Sequence, residues 1–362
     1  MIMKDLPTPA LVIDSAVVDR NLSRMANYAR QHGLALRPHT KTHKSRKLGA
    51  RQIHSGAQGL AVAKVGEAEV MAEICDDLLI AYPTLDAPRT SRLARLAATK
   101  TIRVGIDSPE AAQALGAAAR GADVAMGILV ELDVGFGRTG VASPEAAWRL
   151  AEVVLQTKGL RLDGLMCYPG HVAQPSEAQA APLREVTARL EAALAIWKQH
   201  GAQATIVSGG STPTAFQSHL VPQYTEIRPG TYIFNDMNIV RGGWASLEDC
   251  AARIIATVVS NAVIGQVVID AGTKTLTSDR CAPAPDSGHG YLVEYPDAVI
   301  TKLTEEHGQI DIRNCNRPPK LGERVTVIPN HICPCVNLQD AAWWLEDGTP
   351  EPLPINARGK LS

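Results

Sequence analysis

Between residues 33 and 233 short aliphatic runs alternate with stretches whose apolar residues fall at helical spacing. That alternation constrains the fold more than any other feature of the sequence. The runs at 33–36, 59–63, 77–82, 102–107, 126–133, 162–168, 204–208 and 225–233 read as strands. Helical patterns occupy 17–31, 67–74, 89–98, 110–119, 144–156 and 177–200, with Gly33 closing the first. Eight strand signals divided by helices predict a (β/α)8 TIM barrel, with an open eight-stranded sheet as the alternative. Past about Asn238 helical periodicity stops. Short β-branched runs at 253–258, 266–270, 290–293, 298–303, 309–312 and 323–327, separated by turn residues, predict a C-terminal β-domain.

A chain of 362 residues is long enough for one large domain and a smaller one. With 45% hydrophobic and 20% charged residues it matches a soluble globular protein. A net charge of −1 argues against a nucleic-acid partner or an anionic membrane held by a general field. No apolar run reaches the length of a membrane span, and Asp14 interrupts the first one, so no signal-peptide core is expected. Seven cysteines without framework spacing fit a reducing compartment, hence a cytoplasmic protein.

The second strand signal of the chain runs into Arg37-Pro38-His39-Thr40-Lys41-Thr42-His43-Lys44. Read alone, this is a solvated basic loop or a strand end opening into a site. A lysine buried there loses charge, because desolvation penalises the ammonium, and a neutral amine is what Schiff-base chemistry requires. The segment resembles the pyridoxal-phosphate (PLP) lysine motif of the D-threonine aldolase and metal-activated D-serine dehydratase family. These are fold-type III PLP enzymes, alanine racemase-like in architecture. The resemblance implies that Lys41 is the Schiff-base lysine and that His39 lies against the cofactor. It also implies a PLP-binding barrel over 15–238. A β-domain over 1–14 plus 239–362 then takes the strand at 10–14 and carries a metal site.

Function in such a barrel gathers at the C-terminal ends of the strands. Ser208-Gly209-Gly210-Ser211-Thr212 follows one strand, and Arg228-Pro229-Gly230-Thr231-Tyr232 falls in the next. Glycine amides with hydroxyls make an anion nest, and the resemblance assigns Gly210, Ser211, Gly230, Thr231 and Tyr232 to the PLP phosphate. Glu131 to Val141 resembles the family segment in which an arginine, here Arg138, faces the pyridine nitrogen. A guanidinium stays charged, so it leaves that nitrogen unprotonated and weakens the electron sink. Tyr168-Pro169-Gly170-His171 closes another strand. His171 is a candidate acid/base toward a substrate hydroxyl, and Tyr168 is a candidate both as a catalytic residue and at the cofactor. Lys64, Tyr82 and Asp107 read as ordinary strand-end polar residues.

In Pro329-Asn330-His331-Ile332-Cys333-Pro334-Cys335, an extended chain places His331, Cys333 and Cys335 on one face. Imidazole and thiolate suit zinc, and a site with few protein ligands keeps positions open for substrate. The resemblance makes His331 and Cys333 the metal pair, zinc preferred over manganese or magnesium, and gives Cys335 no role. Glu305-Glu306-His307-Gly308 is a further recurrent segment, expected near the active site through domain or dimer packing.

The resemblance implies a PLP- and divalent-metal-dependent lyase acting on small D-3-hydroxy amino acids. D-threonine aldolase, cleaving its substrate to glycine and an aldehyde, is the first expectation. The alternative is a dehydratase turning D-serine or D-3-hydroxyaspartate into an oxo acid and ammonia. A non-catalytic PLP-binding protein has no use for the metal pair. Relatives of this fold type dimerise, so a homodimer is expected.

Overall fold

The computed structural model describes residues 5–362, which form two compact units. One takes in residues up to Ser23, Thr42–Ser45 and Thr231–Arg358; the other Arg24–Lys41, Arg46–Gly230 and Gly359–Ser362.

The chain opens with β1 (Ala10–Asp14) and α1 (Ser15–Gln31). Eight parallel strands follow: β2 (Ala35–Leu36), β3 (Leu60–Val62), β4 (Asp77–Ile80), β5 (Thr101–Ile106), β6 (Met126–Glu131), β7 (Leu160–Met166), β8 (Ile206–Gly209) and β9 (Glu226–Ile227). Their spatial order is β2-β9-β8-β7-β6-β5-β4-β3. At the seam between β2 and β3 one parallel bridge, His39 to Ala61, replaces a ladder. Ala61 N donates to Pro38 O and Gln58 N to Leu36 O, each at 2.9 Å, and the order closes as a barrel. The strand expected over 225–233 is a correction: it ends at Ile227, because Pro229 cannot donate to a ladder and Thr231–Ile233 turns into a 3-10 helix.

Helices α2 (Arg46–His54), α3 (Val65–Met71), α4 (Ala87–Ala97), α5 (Pro109–Gly121), α6 (Pro144–Gln156) and α7 (Ala180–Gln199) fill the crossovers. Where α4, α5 and α6 begin, a capping Asp86, Ser108 or Ser143 accepts a backbone N–H three residues on, and proline sits in the first turn. Proline lacks only an N–H that the first turn leaves unpaired. No periodicity pointed to α2, whose buried face is Leu48, Gly49 and Gln52.

Inside the barrel Leu79, Leu129 and Met166 pack together, and β5 leaves room at Gly105, whose Cβ would lie 2.3 Å from Met166 Sδ. A partly buried ionic chain crosses the seam. Arg37 Nε meets Glu226 Oε2 at 2.8 Å and Arg37 Nη1 meets Asp77 Oδ1 at 2.7 Å; Arg103 joins Asp77 at 2.6 Å and Asp163 at 2.7 Å. Burial opposes the charge of Arg37, but Glu226 and Asp77 outweigh it and raise its pKa. Gly59 admits this side chain: a Cβ there would lie 2.2 Å from Arg37 Nη1.

The second unit adds α8 (Met237–Arg241), β10 (Ala252–Ser260), β11 (Gln266–Ile269), α9 (Thr273–Leu276), β12 (Tyr291–Leu292), β13 (Val299–Leu303), β14 (Gly308–Asp311), β15 (Arg324–Ile328), α10 (Ile332–Asn337), β16 (Ala341–Glu346) and β17 (Thr349–Pro354). The sheet runs β13-β14-β11-β10-β1-β16-β17, with β15 bridging β10 and β12. As expected, β1 belongs here, antiparallel to β10 and parallel to β16. Its Ala10 and Val12 pack with Leu6 and Ile255 under Trp343 and Leu345. Two features correct the sequence reading. Three short helices interrupt the β texture, and a β16–β17 hairpin forms where Pro350, Pro352 and Pro354 mask the strand pattern. Those prolines are tolerated because β17 is an edge strand. The turn is Asp347-Gly348, both at positive φ (48° and 79°). Among the described residues no helix is long and apolar enough to cross a membrane.

Candidate active site

Lys41 sits in a 3-10 turn, Thr40–Thr42, just past the seam strand. His39 shapes that turn: its N–H donates to Pro229 O at 3.0 Å, and its Nδ1 accepts from Lys41 N at 3.3 Å. The expectation of a buried, desolvated lysine is corrected, since Lys41 is exposed. Burial falls instead on Thr42, His43, Lys44 and Ser45, and His43 Nδ1 accepts from Ser45 N at 3.1 Å.

The loop after β8 is built as a cradle. Gly210 holds φ +75°, which favours glycine, and a Cβ at Gly209 would lie 2.2 Å from the Tyr224 ring. Ser211 N and Ser211 Oγ both reach Thr214 Oγ1, at 3.0 and 3.1 Å. Gly230 N donates to Thr212 Oγ1 at 3.2 Å, tying the loop after β9 to the loop after β8. Gly210, Ser211 and Gly230 are therefore brought together. Thr214 completes the cradle, and no spacing rule singled it out. Amides and hydroxyls with no carboxylate in the loop fit a phosphate. In the other unit Tyr232 is buried, and Thr231 turns its hydroxyl to Cys333 Sγ at 3.8 Å.

After β6, Asp133 Oδ1 accepts the amides of Gly135, Phe136 and Gly137, each at 3.0 Å, and Asp107 Oδ2 accepts Gly140 N at 3.1 Å. This coiled loop carries Arg138, whose guanidinium lies 4.6 Å from the Tyr168 ring centre and 5.2 Å from that of Phe136. The two rings meet edge to face at 5.1 Å. Gly170 leaves room for the Tyr168 ring, 2.3 Å from where its Cβ would be. His171 packs against Gly135, and its Nδ1 is buried without a hydrogen-bond partner. Below the loop, burial raises the carboxyl pKa of Glu131, only partly offset by the Thr139 hydroxyl at 2.9 Å.

The β-domain half is corrected in one respect. Cys333 and Cys335 lie on α10, not on an extended strand, so Cys335 faces away and its buried S–H points to Leu276 O and His331 O. His331 is the N-cap residue, its Nδ1 2.8 Å from Asp279 Oδ2. Cys333 Sγ lies 3.3 Å from Thr42 Oγ1. Burial disfavours both charges, yet the mutual hydrogen bond lowers the thiol pKa and raises that of the imidazole to about 9. Asp236 is buried; its carboxylate caps α8 at Ile239 N (3.1 Å) and holds Ile332 N at 3.0 Å. Among the described residues no three His, Cys, Asp or Glu side chains converge on one metal position. An imidazole backed by a carboxylate, beside an acidified thiol, is still a donor pair that suits zinc. The Glu305–Glu306–His307 segment forms the exposed β13–β14 turn, where Lys274 pairs with Glu306 at 2.7 Å.

Residues 13–238 match the alanine racemase N-terminal domain, and residues 251–344 match the putative serine dehydratase domain. The class is thus an alanine racemase-like barrel with a dehydratase-type β-domain. D-threonine aldolase from Arthrobacter sp is 31% identical over 97% of this chain and 93% of its own. The solved D-threonine aldolase from Filomicrobium marinum is 30% identical, with a TM-score of 0.91 over 99% of this chain and 98% of that one. D-threo-3-hydroxyaspartate dehydratase from Delftia sp. HT23 is 29% identical, with a TM-score of 0.90 over 98% of each. Solved variants of a D-threo-3-hydroxyaspartate dehydratase replace a histidine and, two positions on, a cysteine by alanine, the second in a metal-free form. This chain belongs to the D-threonine aldolase and D-serine dehydratase family of fold-type III PLP enzymes.

Proposed function

We propose that this enzyme is a PLP- and metal-dependent D-threonine aldolase. The observation that supports this most is the hold of Thr42, the chain neighbour of Lys41, on the Cys333 sulfur at 3.3 Å. When bound, PLP supplies an electron sink for negative charge at the substrate Cα, and a divalent metal lowers the pKa of a hydroxyl. Lys41 would carry the cofactor. The cradle of Gly210, Ser211, Thr214 and Gly230 would hold its phosphate, and Arg138 and Tyr168 would contact it. His331 and Cys333 hold the metal, with zinc preferred because of the thiolate. His171 takes the β-hydroxyl proton through Nε2, since its Nδ1 is shut away from substrate. Loss of that proton lets the Cα–Cβ bond break, releasing an aldehyde.

One observation favours a second reading. The partner of His331 is a cysteine, as in the metal-free dehydratase variant's parent, and residues 251–344 match a dehydratase-type domain. In that reading Lys41 removes the Cα proton and the β-hydroxyl leaves. Product analysis with D-threonine separates them: glycine and acetaldehyde are expected, and oxobutanoate with ammonia would replace the aldolase reading by the dehydratase one. D-Serine and D-3-hydroxyaspartate complete the assay, and absence of turnover on all three would overturn both.

A further inference from the structure

His331 and Cys333 supply donor atoms, but other residues decide where those atoms point. Asp279, 52 residues earlier in the chain, accepts the imidazole Nδ1–H at 2.8 Å. Its turn is set locally by Asp279 N donating to Thr277 Oγ1 at 3.2 Å. With Nδ1 engaged, the lone pair of His331 is confined to Nε2. Thr42 is fully buried, with Oγ1 3.3 Å from Cys333 Sγ. A hydroxyl rotates freely, so it accepts from the thiol and donates to the thiolate without moving the oxygen.

From this geometry we infer that Asp279 and Thr42 are positioning residues for a divalent metal held by His331 and Cys333. Asp279 fixes the imidazole tautomer and ring angle; Thr42 fixes the sulfur. The inference rests on the metal reading proposed above and extends it to two side chains outside the donor pair. Asp279 is distant in sequence from the donor pair, and Thr42 follows Lys41 directly in the chain.

The test titrates the PLP-loaded, chelator-stripped enzyme with cobalt(II), following thiolate-to-cobalt absorption, with zinc as competitor. Asp279→Asn and Thr42→Val should each weaken metal binding about 10- to 100-fold, while Thr42→Ser restores it to near the wild-type value. The metal-free variants should melt close to the metal-free wild type, since neither change opens a large cavity. A variant that binds cobalt like the wild type removes its residue from the role, and both doing so overturns the inference. His331→Ala separates the two claims. If it too binds cobalt normally, the metal reading itself falls. If it loses the metal while Asp279→Asn and Thr42→Val keep it, only the positioning roles fall.

Discussion

Lys41, His171 and Gly210 sit in three different surroundings, and each predicts its own defect. Lys41 is exposed on a turn shaped by His39. Lys41→Ala should fold normally, lose the lysine-bound absorption of the cofactor and lose about 10²–10⁴-fold in turnover. An unchanged spectrum would remove Lys41 from its role. His171→Gln, at the proposed base, should lower retro-aldol kcat by about 10²–10⁴-fold and leave cobalt binding intact. Cleavage at the wild-type rate would place the base elsewhere. Gly210→Ala forces a side chain into φ +75°, a cost of about 1–2 kcal/mol. The measurable result is faster loss of PLP on dialysis. The lysine, glycine and His-x-Cys patterns are local, so the sequence offers those residues as candidates. It does not offer Thr214, Asp236 and Asp279, because their partners are brought to them only by folding.

Among the elements, the β2–β3 seam is the weakest part of the barrel ladder, and Arg37 spans it. Arg37→Met leaves buried Glu226 and half-buried Asp77 with fewer partners and should destabilise the fold by about 3–5 kcal/mol, read from denaturant midpoints. A loss below about 1 kcal/mol would show that the pair is dispensable. Burial raises the Asp77 carboxyl, but Arg37 and Arg103 more than offset it and leave its pKa below the ordinary 3.8. A depressed folded pKa contributes stability that is complete above that ordinary value and is lost as pH falls through the folded one. Acid unfolding should therefore steepen below about pH 4, and Asp77→Asn should flatten that slope. Strands and crossover helices were legible because their period is intrinsic. Edge strand β17 was hidden by alternate prolines, although Asp347-Gly348 was a hairpin signal. Helix α10 has six residues, too few to show a 3.6 period in the sequence.

At the scale of the whole molecule, the chain passes from one unit to the other between Lys41 and Thr42 and again between Gly230 and Thr231. Both crossings fall inside motifs assigned to chemistry. A homodimer is predicted from the fold type, to be read as the mass of two chains by light scattering; a monomer at working concentration would contradict it. The His331–Cys333 pair is proposed to make the lyase metal-dependent. The direct measurement is aldehyde release from D-threonine by the PLP-loaded enzyme, before and after chelator treatment and after zinc is returned. L-Threonine serves as the stereochemical control. Acetaldehyde and glycine are expected from the D-isomer alone, lost with the metal and regained with zinc. Full activity in chelator, or equal cleavage of L-threonine, would contradict that proposal.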